Sequence, residues 1–383
     1  MTTFAVWQIT FWLSIFGVAY IFVGYPLLMF TLARLRPLRT KKSKSSEPIS
    51  VVIVAYNEAV RLPRKIASVL ACDDAHLIRE VIVASDGSTD GTATVIAKMN
   101  DPRVRLLAFN ERRGKPSVLN DVVPQCLGEI VVLTDARQEL DPRSIAELAA
   151  NFADANVGAV SGELVFRAEG DTTTAAHGVG IYWRYEKFLR KCEGRFRSVP
   201  GATGALYALR RSLFQPIPPQ TILDDVVIPM QAVTAGFRCL FDSKAIAFDQ
   251  PSDSTAKEAI RKRRTIAGAA QLIVNHPNWL LLWRNPIWFE YVSHKVARLV
   301  SPLLLLVAAI ANVQLASHPI YAALLTWHAA FYLSALAGWM FQRAGCRSSV
   351  FGAPLMFVTL NSVTVAALWD ALRGRFRATW QKS

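Results

Sequence analysis

Long uncharged, apolar runs lie near both ends of the chain. No Asp, Glu, Lys or Arg occurs from Met1 to Ala33, between Arg298 and Arg343, or between Arg347 and Asp370. Runs of about 20 apolar residues have the length of membrane-spanning helices. The pattern therefore predicts transmembrane α-helices: one N-terminal, over 4–33, and about three C-terminal, over about 299–316, 320–341 and 349–369. A purely soluble protein is excluded.

Basic residues follow the first apolar run closely. They are Arg34, Arg36, Arg39, Lys41, Lys42 and Lys44. Flanks of this density stay on the cytoplasmic side of a membrane. We therefore expect an outward N-terminus and a cytoplasmic catalytic domain on a bacterial-type inner membrane. Four crossings would then place the C-terminus outside, whereas its own basic residues favour the inside, so the sequence leaves that side open.

Composition narrows the class of protein further. The chain has 383 residues, 52% of them hydrophobic, and a formal net charge of +14. This is too apolar for a disordered chain or an ordinary nucleic-acid binder, so we predict the lipid bilayer, and no nucleic acid, as a partner. The histidines are scattered without the spacing of metal ligands.

Short apolar or β-branched runs alternate with stretches of helical character between the membrane segments. The runs are Ile49–Ala55, Glu80–Ala84, Val104–Ala108 and Glu129–Leu133. This alternation predicts an α/β domain with a mostly parallel sheet. We divide the chain into an N-terminal membrane helix with its basic flank (1–40), a cytoplasmic domain (41–256), interfacial helices (257–297) and C-terminal membrane helices with a tail (298–383).

Polar motifs directly follow three of these predicted strands. They are Tyr56-Asn57-Glu58, Asp86-Gly-Ser-Thr-Asp90-Gly91 and Asp135-Ala-Arg137. The carboxyl ends of strands form the ligand crevice of open α/β sheets, so the three loops predict a single site. Neither a dinucleotide fingerprint nor a P-loop motif is present. Two nearby acids favour structural roles, because Asp90 and Asp141 each stand where a helix N-cap is expected, the second helix running to about Phe152.

Six motifs in order carry a family resemblance. They are Ala55-Tyr-Asn-Glu58, Ser85-Asp-Gly-Ser-Thr-Asp90, Arg113-Gly-Lys-Pro-Ser-Val-Leu-Asn120, Thr134-Asp135-Ala136, Gly201-Ala-Thr-Gly204 and Leu223-Asp-Asp225. Over about 49–275 the chain resembles glycosyltransferase family 2, in the membrane branch of cellulose, chitin, hyaluronan and poly-N-acetylglucosamine synthases. The resemblance implies a GT-A type nucleotide-sugar-binding domain between membrane helices.

The resemblance also implies roles for individual residues. Tyr56, Asn57, Glu58 and Asp86 would hold the nucleoside, and Lys115 would lie near the base or the diphosphate. Asp135 would face the ribose and a bridging Mg²⁺ or Mn²⁺, and Asp225 would be the catalytic base. On the acceptor side we expect Gly204, Asp224, Tyr182 and Trp183. Alternatives stay open: Asp224 suits the first turn of a helix, and Tyr182 and Trp183 equally suit packing on the sheet.

Two departures from the family pattern concern the metal and the acceptor. Arg137 stands where the metal motif has its second Asp, so it weakens metal binding or contacts the diphosphate directly. In Arg261-Lys-Arg-Arg264-Thr265, Arg264 is retained and can grip the diphosphate, whereas Arg261 replaces a Gln and Thr265 replaces the Trp that stacks on an acceptor sugar. This basic run is also typical of a helix lying on an anionic membrane surface. Processive extension is therefore in doubt.

Taken together, the motifs predict an inverting membrane glycosyltransferase. It would move a sugar from a nucleoside-diphosphate sugar, expected to be UDP-linked, to a growing surface polysaccharide. One alternative is transfer of a single sugar to a lipid or polyprenyl carrier. Another is a nucleotide-sensing or scaffold subunit whose catalysis has lapsed, although the presence of both Asp135 and Asp225 argues against it.

Overall fold

The structure is a computed structural model that describes residues 2–167, 174–250, 255–344 and 350–373. The side chains of residues 174–181 and 255–262, which lie within two helices, are outside this description. The predicted donor residue Arg261 falls in the second of these segments, so its contacts are not described.

Four helices of the described residues are long and apolar enough to cross a membrane. They are Thr3–Leu35, Trp288–Gln314, Pro319–Arg343 and Gly352–Leu372. The first consists of α1 (Thr3–Ala19), a π-helical turn and α2 (Tyr25–Leu35); the second consists of α10 (Trp288–Tyr291), a π-helical turn and α11 (Ala297–Gln314); the others are α12 and α13. The prediction of one N-terminal and about three C-terminal helices is confirmed. The second helix begins at Trp288, within the segment expected to be interfacial.

A single sheet of eight strands forms the centre of the domain between these helices. The strands are β1 (Ile49–Ala55), β2 (Ile78–Asp86), β3 (Val104–Phe109), β4 (Ile130–Thr134), β5 (Glu139–Leu140), β6 (Val157–Phe166), β7 (Leu206–Arg210) and β8 (Arg238–Asp249). Their order is β3-β2-β1-β4-β7-β6-β8-β5. The first four neighbours are parallel, whereas β7 runs antiparallel to both β4 and β6. The sheet is therefore mixed, and the expected α/β fold class is confirmed.

Helices cover both faces of this sheet. They are α3 (Leu62–Leu70), α4 (Thr92–Ala97), α5 (Lys115–Val122), α6 (Ser144–Ala150), α7 (Thr174–Phe196) and α8 (Asp224–Thr234), whereas α9 (Thr255–Asn275) packs against α13. Alternate residues of β1 point to opposite faces, so Val51 and Ile53 join one apolar core while Val52 joins the other. Burial on both faces explains why the central strands β1 and β4 read as almost unbroken apolar runs.

Neither acid predicted to cap a helix is the N-cap residue. Asp90 lies one residue ahead of Gly91, the N-cap of α4, and accepts a hydrogen bond of 3.1 Å from the N–H of Thr92, the first residue of the helix. Asp141 lies ahead of α6, which begins at Ser144; its carboxylate accepts from the N–H of Arg143 at 3.1 Å. Asp141 therefore stabilises the turn before the helix, and the helix starts later than the sequence predicted.

The basic segment after α2 lies along the domain. Lys42 forms ion pairs with Glu147 and Asp242, and Lys44 pairs with Asp74 at 3.0 Å. These lysines therefore neutralise acids of the domain as well as adding to the basic flank that predicted the topology.

Candidate active site

The loops after β1 and β2 are tied together by side chain to backbone hydrogen bonds. Oδ1 of Asn57 accepts from the N–H of Thr89 at 2.7 Å, and Oγ1 of Thr92 accepts from the N–H of Glu58 at 3.0 Å. Asn57 has a φ of 56°, a left-handed conformation that Asn tolerates better than most residues. Both predicted nucleoside-binding loops therefore lie side by side, with Asn57 holding them.

A third loop joins this edge through Asp86. Its two carboxylate oxygens accept hydrogen bonds from the N–H groups of Arg113 and Gly114, at 2.6 and 2.9 Å. Gly87 has a φ of +65°, and a Cβ there would lie 2.5 Å from the backbone nitrogen of Arg112, so only glycine fits. The guanidinium of Arg112, which sequence reasoning missed, then lies 3.8 Å from the centroid of the Tyr56 ring.

Lys115 lies between two carboxylates. Its Nζ is 2.9 Å from Oδ1 of Asp135, at the end of β4, and 3.1 Å from Oδ2 of Asp224, at the start of α8. Burial acts to lower the pKa of Lys115, but the two carboxylates outweigh it and the pKa rises above its ordinary value. The ammonium is therefore held charged at neutral pH beside the predicted metal ligand.

Asp225 is the second carboxylate of the first turn of α8. Its Oδ2 accepts a hydrogen bond of 2.9 Å from the N–H of Gly204, in the loop before β7. Burial, followed by the charge of Asp224, raises the pKa of Asp225 to about 6. A carboxylate whose pKa lies nearer neutrality is a better proton acceptor than an ordinary aspartate.

Further polar groups surround these three aspartates. The guanidinium of Arg264, on α9, and the hydroxyl of Tyr207, on β7, both interact electrostatically with Asp135, Asp224 and Asp225. The Tyr207 hydroxyl is buried and has no hydrogen-bond partner among the described residues. Tyr207 was not foreseen, because a tyrosine in a strand carries no sequence signal of its neighbours.

The structure places the guanidinium of Arg137 against a buried acid. It forms an ion pair with Asp249, at the end of β8, whose side chain is 1% exposed and also accepts from Nε2 of Gln138 at 2.9 Å. The contact with Asp249 accounts for a basic residue at the second position of the metal motif. Whether Arg137 also binds the donor stays a prediction.

Tyr182 and Trp183 lie on α7. The Trp183 ring packs edge-on against Phe166 at the end of β6, with ring centroids 5.7 Å apart. One turn further, Glu186 pairs with Arg298 of α11 and accepts from Nε2 of His294 at 3.1 Å. The packing role proposed as an alternative for Trp183 is therefore observed, and its acceptor role stays a prediction.

The carboxylates of this site determine how a metal ion could be held. In the described ranges no group of three or more His, Cys, Asp and Glu side chains could hold a metal ion. Mg²⁺, however, is commonly held by one or two carboxylates with the remaining positions taken by water and substrate phosphates. Asp135 fits that pattern, because one of its two carboxylate oxygens lies beside open space. Its Oδ1 is paired with Lys115, whereas its Oδ2 faces Gly204, which has no side chain to fill that space.

Comparison with known proteins gives a family match over the central part of the chain. The model of "Glycosyl transferase family 2" matches residues 50–217, the segment that holds the first four strands and the acid at the end of β4. This segment is similar to the glycosyltransferase domain of that family. The resemblance inferred from the six motifs is confirmed.

Two curated relatives and one solved structure resemble this chain. The succinoglycan biosynthesis protein ExoO of Rhizobium meliloti is 33% identical over 94 residues, covering 24% of this chain and 26% of that protein. An N-acetylglucosaminyltransferase of Mesorhizobium japonicum is 27% identical over 238 residues, 57% of this chain and 56% of that one. The matches thus span about a quarter and about half of these relatives.

The solved structure extends the likeness to the membrane helices. The mannosyltransferase PcManGT of Pyrobaculum calidifontis, solved with GDP-Man and Mn²⁺, has a TM-score of 0.72 and 23% sequence identity. The alignment covers 96% of this chain and 99% of that chain. The GT-A domain and its flanking helices therefore form one shared fold.

Proposed function

We propose that the protein is an inverting membrane glycosyltransferase that uses a nucleoside-diphosphate sugar to build a surface polysaccharide. The observation that carries this proposal is the position of Lys115. Its ammonium group lies between the carboxylates of Asp135 and Asp224, and Asp225 follows Asp224 directly in the chain. A cation for a departing diphosphate and a base for an acceptor hydroxyl thus belong to one cluster. A relative named for succinoglycan biosynthesis supports a polysaccharide as the product.

In the proposed reaction the acceptor hydroxyl oxygen attacks the anomeric carbon as the bond from that carbon to the diphosphate oxygen breaks. The proton of the hydroxyl passes to Asp225, and the negative charge left on the diphosphate is stabilised by Lys115 and Arg264. A divalent cation held by Asp135 would neutralise further charge on the same phosphates. Direct attack without a covalent sugar-enzyme bond inverts the anomeric centre.

The donor and acceptor are tested together. Membranes containing the protein are incubated with labelled UDP-N-acetylglucosamine, UDP-glucose and GDP-mannose, and the products are sorted into long polymer, lipid-extractable product and none. We expect a UDP-sugar to give polymer. A lipid product that carries a single sugar would instead support transfer to a lipid carrier. The presence of Thr265 where processive relatives have a stacking Trp favours this alternative. No transfer from any donor would contradict the enzyme proposal.

We also propose that the catalytic domain faces the cytoplasm, on the strength of the basic flank after α2. In a variant lacking the native cysteines, a cysteine at Ser45 should resist an impermeant thiol reagent added to intact cells and react after lysis. Labelling in intact cells would overturn the orientation. A second cysteine placed beyond Trp380 decides the side of the C-terminus.

A further inference from the structure

A lysine lies on the apolar face of α3. Lys65 is 1% exposed and belongs to the same buried face as Leu62, Ile66 and Val69. Burying an ammonium ion is costly unless it is bonded to a partner, so a lysine at such a position needs a specific reason. A basic residue on the buried face of an amphipathic helix was the sequence signal that could have revealed it.

The partner of Lys65 lies next to the proposed metal ligand. Nζ of Lys65 donates a hydrogen bond of 2.7 Å to Oγ1 of Thr134, the residue before Asp135. The hydroxyl of Thr134 in turn donates to the carbonyl oxygen of Ala205 at 2.6 Å. Ala205 follows Gly204, whose N–H donates to Asp225.

The chemistry of these groups sets the direction of the chain of hydrogen bonds. The carbonyl oxygen of Ala205 can only accept, so the Thr134 hydroxyl donates its proton there and its oxygen accepts from Nζ of Lys65. The strand that leads to Asp135 is thereby bonded to the loop that carries Gly204. Without Lys65, the Thr134 oxygen loses the donor that holds it from the α3 side.

Electrostatics agree with this arrangement. Burial lowers the pKa of Lys65 to about 7, and the nearby Asp135, Cys72 and Glu139 act in the opposite direction. The side chain therefore keeps part of its positive charge near neutral pH, within the field of Asp135.

We propose that Lys65 is a positioning residue for sugar transfer, which through Thr134 holds the Asp135 loop and the Gly204 loop at the separation that the reaction needs. The inference rests on the proposed function above. Lys65 does not touch the substrate; it acts through Thr134, and small errors in the placement of reacting groups slow a reaction strongly.

The test compares three variants in membranes of the full chain. Lys65→Met keeps the apolar stem without a donor, Thr134→Val removes the hydroxyl at equal size, and the third variant combines both. Single-turnover transfer is measured with UDP-N-acetylglucosamine, UDP-glucose or GDP-mannose, whichever the unmodified protein uses, together with affinity for the matching nucleoside diphosphate and thermal melting. Thr134→Ser restores the hydroxyl, and Arg64→Met removes an exposed cation from the same helix as a matched control.

We expect each single variant to lose roughly 10-fold or more in the single-turnover rate of transfer while affinity for the nucleoside diphosphate stays within about 3-fold. The double variant should be no slower than the poorer single variant, because both break one chain of bonds. Thr134→Ser and Arg64→Met should behave like the unmodified protein.

Several results would overturn the inference: an unchanged single-turnover rate in Lys65→Met, losses that add in the double variant, or a parallel loss of transfer rate and nucleoside-diphosphate affinity. If Lys65→Met does not fold, Thr134→Val decides, and normal transfer by that variant would overturn the proposal. Absence of transfer by the unmodified protein is distinguishable from all of these, because it removes the proposed function and this inference with it.

Discussion

The N–H of Gly204 donates a 2.9 Å hydrogen bond to Oδ2 of Asp225, and the same glycine faces Oδ2 of Asp135. A Cβ at this position would lie 3.4 Å from the first oxygen and 3.7 Å from the second, which is close but ordinary contact. The absent side chain thus leaves the space between the proposed base and the proposed metal ligand open.

Gly204→Ala should therefore fold but transfer sugar slowly. We expect stability to change by about 1 kcal/mol or less, and transfer to fall roughly 10-fold or more because the methyl group fills the space between the carboxylates. Thermal melting and single-turnover transfer measure the two effects. An alanine variant that transfers at the normal rate would show that this space is not used.

Asp225→Asn should separate catalysis from donor binding. Asparagine keeps the size and accepts the Gly204 hydrogen bond but cannot take a proton, so turnover should fall roughly 10²-fold or more while nucleotide affinity persists. Asp121→Asn, which alters an exposed ion pair with Arg113, is the matched control. Near-normal turnover in Asp225→Asn would mean that the base is a different residue.

Asp224→Asn should act mainly on stability and on the charge around Lys115. Asp224 is largely buried and lies 3.1 Å from the Lys115 ammonium, so its loss leaves the lysine with one carboxylate fewer. We expect a loss of about 1 to 3 kcal/mol in unfolding free energy and a smaller loss of turnover than in Asp225→Asn. If Asp224→Asn is the inactive variant of the two, the roles of these neighbours are exchanged.

The pH dependence of transfer should report the protonation of Asp225. The base works only as a carboxylate, so kcat should rise with pH and level off above about 6, the pKa that burial and Asp224 give it. Because the charge of Asp224 raises this pKa, Asp224→Asn should move the rise to lower pH. A rise in the ordinary carboxyl range in the unmodified protein, or no movement in the variant, would contradict the assignment.

Arg137→Gln and chelation test the metal together. Since Arg137 pairs with Asp249, its loss should cost about 1 to 3 kcal/mol of stability. If this ion pair is its main role, nucleotide-sugar KM should stay within about 3-fold, whereas a larger rise in KM would show that Arg137 also binds the donor. Excess chelator should abolish transfer in both proteins, and Mg²⁺ or Mn²⁺ should restore it. Arg143→Gln, at an exposed arginine, is the control. Full activity in chelator would show that side chains alone neutralise the diphosphate.

Local pattern was sufficient for the main elements of the fold. The membrane helices and the parallel strands were predictable because uncharged length and buried β-branched runs are properties of consecutive residues. The acids after β1, β2 and β4 could be assigned to one edge for the same reason. The antiparallel direction of β7 could not be predicted, because the direction of a strand in a sheet depends on partner strands that are distant in the chain.

Motif order, read in the sequence alone, gave the resemblance to glycosyltransferase family 2 and named Asp135, Lys115 and Asp225. Only the tertiary structure decided what each of them contacts. Arg137 is paired with Asp249, more than a hundred residues away in sequence, and Lys65 is directed to Thr134 across the packing of α3 on the sheet. Burial, the largest cause of the raised pKa of Asp225, arises when distant segments pack together. The partners of Arg137 and Lys65 arise in the same way, so no local stretch of sequence contains them.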